Sequence, residues 1–140
     1  MADFNFLVDG FAVAPQLLEA DVRAAAEQGF KTIINNRPEG EAADQPAGDV
    51  IEAAATAAGI AYIAAPMVPG TLPEDAIAAA RDAEGPVLAF CRSGMRSTAA
   101  WAVAQARTGA HTPDAIVQTA ARAGYDLSGM APVLAAESPR

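Results

Sequence analysis

One short segment of the chain combines a nucleophilic side chain with positive charge: residues 90–97, FCRSGMRS. It holds the only cysteine, Cys91. The apolar run at residues 86–90 predicts a buried strand, and the breaker-free run at residues 97–106 predicts a helix. A loop between a strand and a helix directs backbone N–H groups and the positive end of the helix dipole at one point. Such a loop binds anions and favours a thiolate, so the pattern predicts a nucleophilic Cys91.

A lone cysteine at the end of a strand is otherwise most often a small buried hydrophobic residue. That role needs neither a glycine nor arginines beside it, yet two of the nine Lys and Arg residues lie in this loop. Arg96 is the candidate for direct contact with a bound anion, and Arg92 adds positive charge. Ser97 is expected either to hydrogen-bond the Cys91 thiolate or to cap the helix. Further anion-binding candidates, through their backbone N–H groups, are Ser93, Gly94 and Met95.

Length and charge limit the classes of protein that the chain can represent. Its 140 residues suffice for one domain, residues 1–140, with a formal net charge of −8. Nucleic acids and anionic membranes bind basic patches, so neither is an expected partner. One cysteine cannot form an intramolecular disulfide, and no signal peptide or membrane span is recognisable, so the expected location is the cytoplasm. With one histidine and one cysteine, neither a metal site nor a cofactor is expected.

Periodicity along the chain predicts alternating strands and helices. Alternating apolar residues on both sides of Asp9-Gly10 indicate a hairpin. Further strands are predicted over residues 31–36, 60–65 and 86–90, and helices over residues 18–28 and 47–58, from Pro73, over residues 97–106, from Pro113, and over residues 127–137. This alternation predicts an α/β fold, with a small, mainly parallel sheet of four or five strands flanked by helices.

Three loops should share the edge of the sheet at which its parallel strands end. They are residues 36–41, 66–72 and 91–96, and ligands of such sheets bind at that edge. Asn36 and Arg37 begin the first loop and are therefore candidate binding residues. Arg37 would extend the anion site or recognise the carboxylates of a substrate such as glutathione. Alternatively, the Asn-Arg-Pro sequence only fixes a turn.

Three segments resemble a known family: residues 33–41 (IINNRPEGE), 59–66 (GIAYIAAP) and 85–97 (GPVLAFCRSGMRS). The chain resembles the cysteine phosphatase superfamily, with a dual-specificity or tyrosine-phosphatase-like fold. More closely, it resembles the bacterial phosphatase-like domain of the beta-lactamase hydrolase-like proteins, which also occurs alone as a family sulfur transferase. In that family the domain is fused to, or acts beside, a metal-dependent persulfide dioxygenase. The resemblance implies a cysteine persulfide formed from thiosulfate or glutathione persulfide, with the dioxygenase as a partner.

Two features favour sulfur transfer over phosphoester hydrolysis. A tyrosine-type phosphatase places five residues between cysteine and arginine, whereas four separate Cys91 from Arg96, as in rhodanese sulfurtransferases. Phosphoester cleavage also needs an acid for the leaving oxygen, typically an aspartate after the preceding strand, and residues 66–72 contain none. Glu74 and Asp75 follow, but such acids are typical of the first turn of a helix. The residue before the cysteine is phenylalanine, where the phosphatase pattern has histidine.

The expected activity is therefore sulfur transfer: Cys91 attacks sulfane sulfur, the donor leaves, and the persulfide passes its outer sulfur to a thiol acceptor. The acceptor must be another molecule, because the chain has no second cysteine. A cysteine-dependent phosphatase is the alternative. A persulfide or oxidant sensor, modified without turnover, is a second alternative. Outside the site, His111 is expected at the surface before a helix, and Tyr62 and Trp101 in the core.

Overall fold

The computed structural model describes residues 2–139, and its strands and helices alternate as the periodicity predicts. The strands are β1 (Asn5–Val8), β2 (Phe11–Ala14), β3 (Thr32–Asn35), β4 (Ala61–Ala64) and β5 (Val87–Phe90). The helices are α1 (Glu19–Glu27), α2 (Gly48–Ala58), α3 (Glu74–Asp82), α4 (Met95–Thr108), α5 (Pro113–Arg122) and α6 (Ala131–Glu137), with a 3-10 turn (Ser128–Met130) before α6. Each helix of the described part is too short or too polar to cross a bilayer.

The strands form one sheet in the order β1-β2-β5-β3-β4. β1 and β2 are the expected antiparallel hairpin, and the three other pairs are parallel. The predicted α/β fold with a small, mainly parallel sheet is therefore confirmed. β5 lies in the middle of the sheet, and all four of its residues are buried. The loop that follows β5 consequently begins at the centre of the edge where the parallel strands end.

Helices cover both faces of the sheet, and β5 supplies side chains to both cores. Leu88 and Phe90 pack on one face with residues of α1 and α2. Val87 and Ala89 point to the opposite face, which α3, α4, α5 and α6 cover. Such alternation is required of a strand that is buried on both sides. Both layers therefore hold the strand that carries Cys91.

Three residues outside the site can be compared with expectation. Trp101 is buried in the core, as predicted. Tyr62 is only partly buried, and its hydroxyl accepts a hydrogen bond from Asn35 Nδ2 at 2.9 Å, so it lies at the margin of the core. His111 is exposed before α5, as predicted, and the cap of that helix is the next residue, Thr112.

Two helix boundaries differ from the predicted ones. α4 begins at Met95, two residues earlier than predicted, because Gly94 ends the preceding loop with a left-handed φ of +99°. Alanine and other L-residues rarely adopt that φ, whereas glycine does so readily. The predicted helix over residues 127–137 is divided into the 3-10 turn and the seven residues of α6.

The start of α1 depends on a buried carboxylate. Asp21 is 1% exposed, and it accepts hydrogen bonds from the backbone N–H groups of Leu18 at 2.8 Å and Ala2 at 3.0 Å. The first bond satisfies a donor at the end of the helix, where intrahelical partners are lacking. The second ties the N-terminal segment to α1.

We predict that Asp21→Ala lowers the free energy of unfolding by about 2 kcal/mol, because the backbone N–H groups of Leu18 and Ala2 lose their buried acceptor. Urea unfolding followed by circular dichroism measures the effect. Glu19→Ala is the matched control, since it removes an exposed acid from the same helical turn. The control should change stability by less than about 0.5 kcal/mol. Equal losses in the two variants would contradict the role given to Asp21.

Candidate active site

Cys91 lies directly after β5, at the start of the loop that leads into α4. Its side chain is 0% exposed, and the backbone N–H of Gly94 donates a hydrogen bond to Sγ at 3.1 Å. Gly94 is the residue before α4, so the sulfur lies at the N-terminus of that helix. The positive end of the helix dipole favours negative charge at this position. The structure therefore places Cys91 where the sequence predicts it.

A tyrosine that is distant in sequence, Tyr125, holds the Cys91 loop. The Tyr125 hydroxyl donates a hydrogen bond to Ser93 O at 3.2 Å and accepts one from Asn5 Nδ2 at 3.0 Å. Burial raises the pKa of Tyr125, so the hydroxyl remains a donor over the physiological range. A Cβ on Gly94 would overlap the Tyr125 hydroxyl, in addition to the strain of its positive φ. The positive φ of the backbone and the adjacent Tyr125 side chain therefore both require glycine at position 94.

Arg96 is oriented by a carboxylate. Its Nη1 donates hydrogen bonds to Glu41 Oε2 and to Met67 O, both at 2.7 Å, and its Nη2 donates to Glu41 Oε1 at 2.9 Å. A guanidinium has five N–H groups, so two remain: Nε–H and the second N–H of Nη2. Neither donates to an oxygen of residues 2–139, and the Cys91 sulfur lies within hydrogen-bonding reach of the guanidinium. They lie along one edge of the guanidinium, where they match two oxygens of a tetrahedral anion.

The remaining edge of Arg96 belongs to the same site as the thiol. The pKa of Arg96 is raised, chiefly by its hydrogen bonds to Glu41, although burial opposes the rise. The charge of Cys91 contributes to the same increase, because the sulfur lies close to the guanidinium. The Cys91 sulfur, the N-terminus of α4 and the Arg96 guanidinium therefore lie together at one point.

A second arginine fixes Glu41. Arg37 Nε donates a hydrogen bond to Glu41 Oε1 at 3.1 Å, and Arg37 Nη1 donates one to Gln16 Oε1 at 3.0 Å. The Arg37 side chain is only 6% exposed. The hydrogen bond from Arg96 is the main cause that lowers the pKa of Glu41, and Arg37 adds to it against the effect of burial. Glu41 is therefore an ionised acceptor at neutral pH, and Arg37 acts through Glu41 as a buried support.

The other predicted site residues have different positions. Ser97 Oγ donates a hydrogen bond to Asn36 Oδ1 at 2.8 Å, and Asn36 Nδ2 donates one to Ala65 O at 2.9 Å. Ser97 thus makes neither of the contacts expected for it. It lies inside α4, whose N-cap is Gly94, and it joins α4 to the loops after β3 and β4 through Asn36. Arg92 and Met95 are both exposed.

Glu41, Gln16 and Tyr125 belong to the site, but the sequence did not single them out. Glu41 does lie in a loop predicted at the correct edge, and a carboxylate there, facing arginines on a neighbouring loop, is a detectable signal. Tyr125 follows α5, and no local pattern links it to the Cys91 loop. Glu74, in contrast, pairs with Arg107 at 2.7 Å on the α3 side of the molecule.

The topology of the sheet and the position of Cys91 define the class of protein as the cysteine phosphatase-like fold. Residues 3–108 match the family model of the beta-lactamase hydrolase-like protein, phosphatase-like domain. The chain belongs to this family. A beta-lactamase hydrolase-like protein from Agrobacterium fabrum is 36% identical over 119 residues, which are 82% of this chain and 28% of that protein. The chain thus spans about a quarter of the length of the curated relatives it matches.

Solved structures show the same fold. A candidate phosphatase from Neisseria meningitidis Z2491 is 30% identical, with a TM-score of 0.83 over 96% of this chain and 97% of that one. Tk-PTP in its active form shares 16% identity, with a TM-score of 0.71 over 96% of this chain and 94% of that one. The predicted dual-specificity or tyrosine-phosphatase-like architecture is therefore confirmed. Within the described range, no cluster of three or more His, Cys, Asp or Glu side chains is placed to hold a metal ion.

We predict that Glu41→Gln lowers the free energy of unfolding by about 2 kcal/mol at pH 7, because buried Arg37 loses its counter-charge. The pKa of Glu41 is lower in the folded than in the unfolded protein. Its contribution to stability is therefore complete above about pH 4.3, and it is lost as the pH falls through the folded-state value. Urea unfolding between pH 3 and pH 7 should show the variant and the wild type converging toward low pH.

Glu52→Gln is the matched control for this measurement, because Glu52 is exposed on α2. It should change stability by less than about 0.5 kcal/mol across the same range. A difference between Glu41→Gln and wild type that stays constant with pH would show that the ion pair is not its source.

Proposed function

We propose that the protein is a cysteine-dependent hydrolase of phosphate monoesters. One observation carries the proposal: Glu41 occupies the Nη1/Nη2 end of the Arg96 guanidinium and leaves the Nε/Nη2 edge for a tetrahedral oxyanion beside Cys91. Two N–H donors along that edge suit two oxygens of a phosphate group, and the first turn of α4 can serve the third. The phosphatase-like family and the candidate phosphatase from N. meningitidis support the same activity.

The reaction proceeds in two displacements at phosphorus. The thiolate of Cys91 attacks the phosphorus atom, an S–P bond forms, and the ester P–O bond breaks with departure of the alcohol oxygen as an anion. Water then attacks the phosphocysteine, the S–P bond breaks, and phosphate, a proton and the Cys91 thiolate are released. Arg96 and the N–H groups at the start of α4 stabilise the charge on the equatorial oxygens during both displacements.

The leaving group must depart without help from a protonated acid. Glu41 touches Arg96, but its pKa is lowered, mainly by that contact. Asp126 lines a cavity together with Arg96, but hydrogen bonds from Ser128 lower its pKa. Both carboxylates are therefore ionised at neutral pH. The proposed substrates are aryl phosphates, whose leaving groups are stable as anions, and alkyl phosphates are poor substrates.

Sulfur transfer is the second candidate, and the short Cys91 loop favours it. Four residues separate Cys91 from Arg96, and a smaller cradle suits a sulfane donor such as thiosulfate or glutathione persulfide. With thiosulfate, the thiolate attacks the outer sulfur, the S–S bond of the donor breaks, and sulfite departs. A thiol acceptor then removes the outer sulfur of the Cys91 persulfide. These leaving groups need no acid, and a persulfide dioxygenase is the proposed partner for this activity.

The two activities are distinguished by turnover of p-nitrophenyl phosphate and by intact mass after incubation with thiosulfate. We predict phosphate release by the wild type and its loss, by at least about 10³-fold, in Cys91→Ser. Cys91→Ser combined with Ala110→Cys is the control, because it restores a thiol at an exposed position outside the site. A gain of one sulfur atom on Cys91 with cyanide-dependent turnover, and no phosphate release, would replace the phosphatase proposal with the second candidate. Stoichiometric sulfur addition without either turnover would instead indicate a sensor.

We predict a strong dependence of kcat/KM on the leaving group. Benzyl phosphate resembles p-nitrophenyl phosphate in size, but its leaving group is an alkoxide. Its kcat/KM should be lower by at least about 10³-fold, since protonation by a general acid normally provides 10²- to 10⁴-fold. Steady-state assays of phosphate release measure both substrates. Comparable values would show that a proton donor operates at the site.

A further inference from the structure

An apolar cavity of about 370 Å³ lies beside the Cys91 loop. It is bounded by the loop after β4, by the first turns of α4, and by the segment from Asp126 to Val133. Its principal apolar walls are Met67, Leu72, Met95, Leu127, Met130 and Val133. A cavity of this size lies in the range that small-molecule sites occupy, and a smaller one of 150 Å³ can already hold benzene.

The cavity adjoins the proposed anion site at Arg96. Arg96 and Met95 line it, and both belong to the segment that begins at Cys91. Met67 also lines it, and its carbonyl accepts a hydrogen bond from Arg96. An anion held on the open edge of Arg96 therefore places its organic substituent next to the apolar walls.

Charge around the cavity restricts which substituent fits. Arg96 and Asp126 are the charged residues among those that line it. The Asp126 carboxylate accepts a hydrogen bond from Ser128 N–H at 2.9 Å, and hydrogen bonds from the side chain and the backbone of Ser128 lower its pKa. Asp126 is therefore negatively charged at neutral pH and repels a second anionic group on the ligand. An uncharged apolar group is not repelled by Asp126, and it contacts walls that are mainly apolar.

We infer that this cavity binds the uncharged apolar group of the substrate, an aromatic ring or a branched aliphatic chain, while the anionic end occupies the Cys91 loop. The inference rests on the proposed function for the position of the anion. It deepens that function by naming the substrate class: amphiphilic monoesters, in preference to substrates that carry further carboxylates or phosphates.

Binding of non-hydrolysable phosphonates tests the inference without requiring turnover. Isothermal titration calorimetry compares methylphosphonate, which has only the anionic end, with 1-naphthylmethylphosphonate, which adds the apolar group. The naphthyl compound should bind the wild type at least about tenfold more tightly, because it buries apolar surface. Equal affinities, or no binding of either compound, would overturn the inference.

Variants locate the binding of the apolar group. Val133→Glu and Val133→Gln place a charged and a neutral polar group on the wall formed by α6, at a residue that is 38% exposed. Both should reduce the preference for the naphthyl compound by at least about fivefold, and the neutral Val133→Gln should leave methylphosphonate binding unchanged. Val50→Glu is the matched control, since Val50 is a helical valine of similar exposure, 42%, on α2. A naphthyl preference that survives both Val133 variants would overturn the inference.

Failure of the proposed function gives a different result. If aryl phosphates are not hydrolysed but the naphthyl preference is present and depends on Val133, the cavity assignment stands and the phosphatase proposal fails. If aryl phosphates are hydrolysed through Cys91 but the two phosphonates bind equally, the phosphatase proposal stands and the cavity assignment fails.

Discussion

The ion pair between Glu41 and Arg96 is the interaction on which the site depends. It joins the loop after β3 to the first turn of α4 through two hydrogen bonds of 2.7 and 2.9 Å. Glu41 occupies the Nη1/Nη2 end of the guanidinium, so the Nε/Nη2 edge remains for the proposed oxyanion. An arginine side chain free to rotate would lose entropy when an anion binds, so prior orientation lowers that cost. Buried Arg37 also donates a hydrogen bond to Glu41 and links it to Gln16 after β2.

The parallel sheet makes this arrangement available. Loops that follow β2, β3, β4 and β5 meet at one edge, and they supply Gln16, Glu41, the Met67 carbonyl and Cys91. The sequence predicts that these loops lie at one edge, because buried strands alternate with amphipathic helices and only a few sheet topologies are compatible with that alternation. It also predicts Cys91 and Arg96, since both lie in one short loop between elements with clear periodicity. The position of such a residue can be predicted from the sequence because it is set by the end of the strand or helix next to it.

The contacts of a residue cannot be predicted in this way when its partners are distant in the sequence. Ser97 is an example: its helix position suggests a cap, but the nearest acceptor is Asn36, which only the folded sheet brings close. Tyr125 and the apolar segment around Leu127 reach the site because α5 and α6 pack against α4, and the periodicity of the sequence does not predict that packing. The predicted start of α4, residue 97, lies two residues after the observed start for a related reason. A glycine in the sequence can end a loop or interrupt a helix. In the structure Gly94 ends the loop, with a left-handed φ and with Tyr125 packed where a Cβ would lie.

The central claim is that Glu41 holds Arg96 in position for a tetrahedral oxyanion on Cys91, and a crystal structure with bound orthovanadate tests it most directly. The account predicts vanadium bonded to Cys91 Sγ, two of its oxygens on Nε and Nη2 of Arg96, and both Glu41 hydrogen bonds retained. Vanadate bound away from Cys91, or an Arg96 that leaves Glu41 to reach the anion by another edge, would contradict it.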